Sequence, residues 1–124
     1  MNTEQHISSA YDRDLDSIQT LIIKMGGLVE EAILQCGEAL ANRDMELAEK
    51  VRAGDKVIDA LEHQINEEAA RTIALRAPVS KDLRSVLTTL RIAASLERVG
   101  DYSKNIAKRT SALNDTPLLG GSEK

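Results

Sequence analysis

Two pairs of acidic residues, each spaced four positions apart, could act together chemically. Asp55 and Asp59 form one pair, in GDKVID, and Glu97 and Asp101 form the other, in LERVGD. Residues four apart on a helix share one face, with Cβ atoms about 6 Å apart. Clustered carboxylates repel one another unless they take up protons or hold a cation between them. Oxygen ligands of this kind suit Mg²⁺, Mn²⁺ or iron.

The two pairs lie at matching distances from Pro78. Asp55 and Asp101 are each 23 residues from this proline, and Asp59 and Glu97 are each 19 residues from it. If two helices fold back on each other at Pro78, all four carboxylates come to one level. Because charged residues usually mark a solvated face, a metal site and a solvated acidic flank are both open interpretations.

Other polar residues extend these rows. His63 lies one turn beyond the first acidic pair and Asn105 one turn beyond the second, so each is a possible accessory residue of the site. A single histidine on a helix surface is more often only a surface residue. Helix three also carries an arginine every seven residues, at Arg84, Arg91 and Arg98. This spacing predicts a solvated basic stripe; a surface that binds an acidic partner is the less frequent alternative.

The elements that must position the acids are three long helices. Apolar residues step by four and three over 11–39, which predicts a first helix. A second series spans 47–65 and should end before Pro78, because proline disfavours helix at the preceding residue. A third helix is predicted over 83–112. Its predicted seam consists of Leu83, Leu87, Leu90, Ala94, Glu97 and Asp101, so the last two members would carry carboxylates into an apolar face.

Long helices joined by short loops predict an all-α fold, an up-down-up three-helix bundle. The bundle would occupy 11–112, with flexible tails at 1–10 and 113–124. Asn42 or Asp44 is a candidate cap for the second helix and Ser80 for the third. Small residues predicted to allow close helix approach are Gly26, Gly27, Ala32, Ala39, Gly54 and Ala94.

Composition narrows the function classes. The 124 residues suffice for one domain, and only 2% are aromatic, which favours helices over a β-sandwich. A net charge of -4 argues against nucleic acid binding. The sequence contains neither an apolar run long enough to span a membrane nor the pattern of a signal peptide. The single cysteine, Cys36, cannot form an internal disulfide and is predicted to be buried, so we expect a cytoplasmic protein.

The sequence resembles the PhoU family of phosphate-signalling regulators over most of residues 5–110. The segments that carry the resemblance are QHISSAYDRDLDSIQTLIIKMGGLVEEAI, GDKVIDALEHQI, RAPVSKDLRSV and LRIAASLERVGDYSKNIAKR. The combination of D-x-x-x-D with E-R-V-G-D on consecutive helices is specific, whereas either motif alone is weak. The resemblance implies three-helix repeats whose acidic motifs bind iron, zinc, manganese or magnesium. Their ligands here would be Asp55, Asp59, Glu97 and Asp101.

The resemblance also implies a role. Members of the family act as negative regulators of phosphate uptake and of the phosphate-starvation response. This chain would be a cytoplasmic adaptor that contacts a phosphate ABC transporter ATPase and a sensor histidine kinase. It would approach the membrane only through these partners, and we expect no enzymatic activity. Family members usually carry two three-helix repeats, whereas this sequence matches only the first. We therefore expect it to self-associate, as a dimer, because exposed bundle seams favour burial.

Two other functions remain as alternatives. A di-iron carboxylate enzyme would require Glu-x-x-His motifs, and none occurs, since Glu62 and His63 are adjacent. The other alternative is a metal-free helical scaffold.

Overall fold

The structure is a computed structural model that describes the backbone of residues 2–115 and the side-chain surroundings of residues 9–113. It contains three helices in chain order, α1 (Asn2–Asn42), α2 (Met45–Arg76) and α3 (Ser80–Asp115). Each helix packs against both of the others. The predicted all-α, up-down-up three-helix bundle is therefore confirmed.

The helix ends differ in part from the sequence expectation. α1 begins at Asn2, before the apolar pattern starts at Tyr11, and α3 continues to Asp115 instead of ending near residue 112. Most of the predicted tail at 113–124 lies outside the described residues, and the mobility of both tails stays a prediction. None of the described helices combines the length and apolar character needed to cross a bilayer.

Local chemistry accounts for the two turns. Asp44 caps α2, because its carboxylate accepts a hydrogen bond of 3.0 Å from the Leu47 backbone N–H. Ala77 ends α2 in a left-handed conformation, with φ of 45°, directly before Pro78 as the proline predicts. Ser80 is the first residue of α3 rather than its cap. The Val79 carbonyl accepts the hydrogen bonds from the first turn of that helix.

Polar contacts fix the register of the three helices at the end of the bundle where α2 ends and α3 begins. The Tyr11 hydroxyl donates to the Asp82 carbonyl at 2.6 Å, so α1 and α3 run parallel from the same level. Arg76 at the end of α2 pairs with Asp14 of α1 at 2.8 Å. With α2 antiparallel to both, the hairpin of α2 and α3 turns at residues 77–79.

The apolar seam of α1 forms as predicted. Its buried members include Ile18, Met25 and Val29, and Cys36 is buried with its thiol directed at the Ile33 carbonyl. Leu15 and Ile22 of the same series pack partly buried against this core. The heptad pattern therefore identifies which face of α1 is inside.

The predicted seam of α3 is wrong by about one residue. Leu87 is 41% exposed and Ala94 is exposed, and Glu97 and Asp101 lie at half-buried flank positions. The buried residues of α3 are instead Val86, Thr89, Ala93, Gly100, Ser103, Ala107 and Thr110. The physical reason is that small residues let α3 approach its neighbours closely, so the larger leucines pack at the edges of the contact.

Three of these buried residues are hydroxyl side chains that need hydrogen-bond partners. Thr89, Ser103 and Thr110 each donate to the backbone carbonyl four positions earlier, at 2.9, 3.1 and 3.4 Å. These local bonds satisfy the hydroxyl groups within α3 itself. A polar residue can therefore occupy the core face without a partner on another helix.

None of the three glycines predicted to allow close helix approach is in tight contact with another described residue. A Cβ atom added at Gly26, Gly27 or Gly54 would meet no heavy atom within 4 Å. Gly100 of α3 is different, because a Cβ there would lie 3.4 Å from Ile58 Cγ2 and 3.5 Å from Asp55 Oδ1. The contact between α2 and α3 is therefore tightest at the level of the acidic residues.

Candidate metal centre

Asp55 occupies a core position of α2. It lies between the buried residues Val51 and Ile58, and its side chain is only 4% exposed. Sequence reasoning named the neighbouring Gly54 as a position of close helix approach and expected the acids of α3 to enter the apolar face. The residue that does so is Asp55, and Gly100 on the facing helix leaves space for its carboxylate.

The other acids gather around Asp55. Asp55, Asp59 and Asp101 each offer a carboxylate oxygen, and these three atoms lie within 4.8 Å of one another. Mg²⁺ binds oxygen at about 2.0–2.1 Å, so two ligand atoms on opposite sides of one ion are about 4 Å apart, which is inside this limit. Glu97, the fourth acid predicted from the sequence, is not one of these three, but it lies close enough to Asp59 for that residue to be the largest influence on its pKa. We call these four residues the carboxylate cluster.

The two acids of α2 differ in burial because they differ in position on the helix. Asp55 faces the core, whereas Asp59, one turn later, is exposed at the edge of the contact between α2 and α3. Glu97 and Asp101 line the same edge from α3 and are half-buried. The cluster therefore opens to solvent at Asp59 and is closed at Asp55.

One oxygen of the cluster has no partner. Asp55 Oδ1 is buried and makes no hydrogen bond with any described residue. An unsatisfied buried acceptor costs about 1–3 kcal/mol, and more when it is charged. This oxygen is therefore the position at which a cation would contribute most.

The second oxygen of Asp55 has a cationic partner that sequence reasoning missed. Lys104 Nζ lies 3.3 Å from Asp55 Oδ2, and the lysine side chain is 32% exposed. A signal for this contact is present in the sequence, because Lys104 lies three residues after Asp101 and seven after Glu97, on the same face of α3. The cluster thus contains four carboxylates and one ammonium group.

Crowding of the acids alters their protonation. Burial raises the pKa of Asp55 and the charge of Asp59 raises it further, while the Lys104 ammonium opposes both effects. The hydrogen bond with Asp59, together with burial and the charge of Asp101, raises the pKa of Glu97 to about 7. Its hydrogen bond with Asp55 raises the pKa of Lys104. Neutral Glu97 can donate its proton to Asp59, which reduces the repulsion between the acids.

The accessory residues predicted from the sequence lie outside this group. His63 is exposed and its Nε2 lies 3.5 Å from Glu67. Asn105 is exposed, and its side chain makes no hydrogen bond with the described residues. Arg84, Arg91 and Arg98 are exposed along α3, which fits a basic stripe.

The carboxylate cluster fits a cation by its donor chemistry. All its ligand atoms are oxygens, it spans two helices, and it contains a buried oxygen without a partner. Such a site suits hard cations, which take oxygen ligands. The ion would neutralise the acids and link α2 to α3.

Comparison with known proteins adds a family assignment. A family model described as the PhoU domain matches residues 22–110. A phosphate-specific transport system accessory protein PhoU homolog of Rhizobium meliloti is 47% identical over 108 residues, which are 87% of this chain and 46% of the relative. The homolog of Zymomonas mobilis is 46% identical over 110 residues, which are 89% of this chain and 46% of that protein.

The third relative is a PhoU protein of Escherichia coli. The phosphate-specific transport system accessory protein PhoU of Escherichia coli is 38% identical over 108 residues, which are 87% of this chain and 45% of the relative. The chain therefore spans about half the length of the curated relatives it matches.

Proposed function

The chain belongs to the PhoU family, and from this premise we propose that it is an accessory component of a phosphate-specific transport system. In this role it acts as a negative regulator of phosphate uptake and of the phosphate-starvation response. It is a cytoplasmic, non-catalytic adaptor between the transporter ATPase and a sensor histidine kinase. The observation that carries the proposal is the family match over residues 22–110, supported by relatives named for this transport system.

The proposal includes a metal ion in the carboxylate cluster. Asp55, Asp59 and Asp101 would hold the ion directly, and Glu97 would support it through Asp59. Support comes from the buried Asp55 oxygen without a partner and from three carboxylate oxygens within 4.8 Å. The oxygen-only donor set favours Mg²⁺, Mn²⁺ or iron over zinc, which more often takes nitrogen and sulfur ligands.

Bound metal would have a mechanical role in this proposal. The ligands come from both α2 and α3, so the ion would fix these two helices relative to each other. A partner that contacts both helices would then bind a surface whose shape depends on metal occupancy. This links the cluster to an adaptor role without any chemical step.

A complementation experiment tests the regulatory role. A bacterial strain that lacks its own PhoU protein carries a reporter for the phosphate-starvation response and is grown in high phosphate. Expression of this chain should lower the reporter signal. The Asp55→Asn, Asp59→Asn double variant should lower it less at equal protein level. A folded, well-expressed chain that leaves the reporter unchanged would contradict the adaptor role.

A metal-free scaffold is the second candidate. The observation that favours it is the contact between Lys104 and Asp55, because the ammonium already neutralises the most buried acid. In that case the chain would contact its partners without any bound ion. Metal analysis of the purified chain separates the two candidates.

A further inference from the structure

We propose that a polar cavity between α1 and α2 binds a small organic anion, a molecule that carries a carboxylate or phosphate group together with hydroxyl or amino groups. The cavity has a volume of about 420 Å³. We call it the α1–α2 cavity. Six polar side chains line it, Asp14 and Ser17 of α1 and Glu68, Arg71, Thr72 and Arg76 of α2.

The α1–α2 cavity is separate from the carboxylate cluster. The cluster lies between α2 and α3, whereas the cavity lies between α2 and α1. Asp59 is the cluster residue nearest to the cavity along α2. Glu68 follows it by nine residues, which is about 14 Å at 1.5 Å per residue. Ligand binding in the cavity therefore depends neither on a bound metal ion nor on a role in phosphate transport.

Thr72 is a buried residue of the cavity whose hydroxyl group has no partner. The residue is only 3% exposed, yet its hydroxyl makes no hydrogen bond with any described residue. The buried hydroxyls of Thr89, Ser103 and Thr110 differ, since each donates to the carbonyl four positions earlier. Among the described residues, Asp55 Oδ1 is the only fully enclosed side-chain oxygen or nitrogen without a partner. The Thr72 hydroxyl must therefore reach the surface of the cavity, where a ligand can bind it.

Two guanidinium groups supply further unused donors. The Arg71 side chain is exposed and forms no ion pair or hydrogen bond with any described residue. Arg76 uses its Nε, which donates to Asp14 Oδ2 at 2.8 Å, and its two terminal nitrogens have no partner among the described residues. Because a guanidinium group can bind two oxygens of one carboxylate or phosphate, these donors suit an anionic ligand.

The two acids of the cavity already accept hydrogen bonds. Asp14 is neutralised by Arg76. Glu68 accepts one bond from the Ser17 hydroxyl at 3.1 Å and another from the Gln64 amide at 3.2 Å. The unused hydrogen-bonding capacity of the cavity therefore consists mainly of donors, which an anion rich in acceptor oxygens would satisfy. The charges of the lining, two arginines and two acids, balance one another.

The order of the charges along α2 indicates what else the ligand carries. Glu68, Thr72 and Arg76 follow one another at intervals of one helical turn, over about 12 Å. An anionic group held by Arg71, Thr72 and Arg76 leaves Glu68 at the opposite end of the cavity. Each carboxylate oxygen of Glu68 has a second lone pair that can accept from a hydroxyl or amino group. A ligand with an anion at one end and donor groups at the other fits this order.

The size of the cavity favours an organic molecule over a simple ion. Its volume of about 420 Å³ lies in the range of about 300–1,000 Å³ that is typical of small-molecule sites. Leu75 also lines the cavity and offers apolar surface to the carbon skeleton of a ligand. A single phosphate ion would fill only a small part of this space.

Titration with defined probes provides the first test. The full chain is freed of metal with chelator, dialysed into a buffer of chloride salts and titrated at constant ionic strength. The probes are glucose 6-phosphate, L-glutamate, inorganic phosphate and glucose. Calorimetry measures affinity, and the NMR signals of the arginine Nε–H groups locate the binding. The two organic anions distinguish a phosphate from a carboxylate as the recognised group.

We expect glucose 6-phosphate or L-glutamate to bind with a Kd below about 1 mM, the weak end of the usual affinity scale. The better of the two should bind at least tenfold more tightly than inorganic phosphate or glucose. Binding should shift the Nε–H signals of Arg71 and Arg76. Failure of both organic anions to bind at about ten times that concentration would overturn the inference, as would equal affinity for inorganic phosphate.

Two substitutions test the assigned residues. Thr72→Val removes the hydroxyl group and retains the branched shape, and Arg71→Gln removes the guanidinium group. Each should weaken binding of the organic anion about tenfold, because each removes a hydrogen bond to a charged group. Thr72→Val should leave the melting temperature of the ligand-free chain unchanged or higher, since the hydroxyl has no partner to lose.

Arg84→Gln is the matched control for Arg71→Gln. Arg84 is an exposed arginine on α3 and lies outside the cavity, so its substitution changes the net charge equally and should leave affinity unchanged. Circular dichroism checks that all three variants remain helical. Equal weakening by Arg71→Gln and Arg84→Gln would attribute binding to net charge and overturn the inference. Unchanged affinity in Thr72→Val would do the same, because the buried hydroxyl would then not contact the ligand.

Discussion

Lys104 and Asp55 form the only ion pair between α2 and α3 among the described residues, with 3.3 Å between Nζ and Oδ2. The aspartate is almost fully buried, whereas the lysine reaches it from a partly exposed position. The protein thus supplies its own cation to the closed end of the carboxylate cluster. A metal ion at Asp55 would compete with this ammonium group for the same carboxylate.

Removal of the lysine charge should therefore strengthen metal binding. We expect Lys104→Gln to raise the affinity for Mn²⁺ roughly tenfold, the equivalent of one hydrogen bond to a charged group. The same variant should lower the melting temperature of the metal-free chain, since Asp55 loses its partner. Isothermal titration calorimetry and thermal melts in chelator measure the two effects.

Lys108→Gln is the matched control for this prediction. Lys108 lies one turn further along α3, is exposed, and forms no ion pair among the described residues. The Lys108→Gln substitution changes the net charge by the same amount as Lys104→Gln but does not remove a contact with Asp55. If both variants changed metal affinity equally, the effect would come from net charge and not from the contact at Asp55.

Metal binding should stabilise the fold. A ligand present at 100 times its dissociation constant adds about 2.7 kcal/mol to the free energy of unfolding, which corresponds to a rise of roughly 10 °C in melting temperature. Asp59→Asn should remove most of this rise for Mg²⁺, Mn²⁺ or iron. Elemental analysis of protein purified without chelator should find the metal in the wild type and not in the Asp59→Asn, Glu97→Gln double variant.

Glu67→Gln serves as the control for the metal experiments, because Glu67 is an exposed acid of α2 that pairs with His63 outside the cluster. It should keep the full metal-dependent rise in melting temperature. A metal-free wild type whose melting temperature ignores all three added ions would contradict the metal site and leave the scaffold alternative.

The protonation of Glu97 should make the metal-free chain less stable as the pH rises. Its pKa is about 7 in the folded chain, raised from the ordinary glutamate value of 4.5 that we take for the unfolded chain. Between these values the folded chain holds a proton that the unfolded chain releases, so this group's stabilising effect is complete below pH 4.5 and is lost by about pH 7. Chemical denaturation in chelator at pH 5, 6, 7 and 8 should show this decline, and Glu97→Gln should make it smaller.

Added metal should reverse this trend. Protons compete with metal for the carboxylates, so metal affinity should fall as the pH drops from 8 to 5. The metal-loaded chain would then gain stability from a rising pH while the metal-free chain loses it. Affinity that did not weaken on acidification would argue against carboxylate ligands.

The sequence predicts the fold well where large apolar residues dominate one face. On α1 the series from Tyr11 to Ala39 is apolar at every core position, so its inner face can be identified from spacing alone. On α3 the core consists of small and hydroxyl residues such as Ala93, Ser103 and Thr110. A prediction based on the spacing of the leucines therefore places Leu87 and Ala94 in the core, although both are exposed.

The approach of Asp55, Asp59 and Asp101 to one another was predictable, because it depends on distances along two helices and on one turn at Pro78. Their different burial was not predictable from spacing, since it depends on the rotation of α2 that brings Asp55 into the core and leaves Asp59 exposed. Lys104 was missed because a search for metal ligands considers acids and histidines, whereas a buried carboxylate also attracts the nearest flexible cation.

The close contact at Gly100 gives the last prediction. A methyl group at this position would be 3.4 Å from Ile58 Cγ2, an ordinary van der Waals distance. Gly100→Ala should therefore be tolerated and can gain up to about 1 kcal/mol of helix propensity.

A larger side chain has no such space, so Gly100→Leu should destabilise the chain by about 1–3 kcal/mol and displace the Asp55 carboxylate. Denaturant unfolding and Mn²⁺ titration measure both effects, with Gly54→Leu as the control because a Cβ at Gly54 meets nothing within 4 Å. Gly100→Leu with unchanged stability and unchanged metal affinity would contradict the close approach of α3 to Asp55.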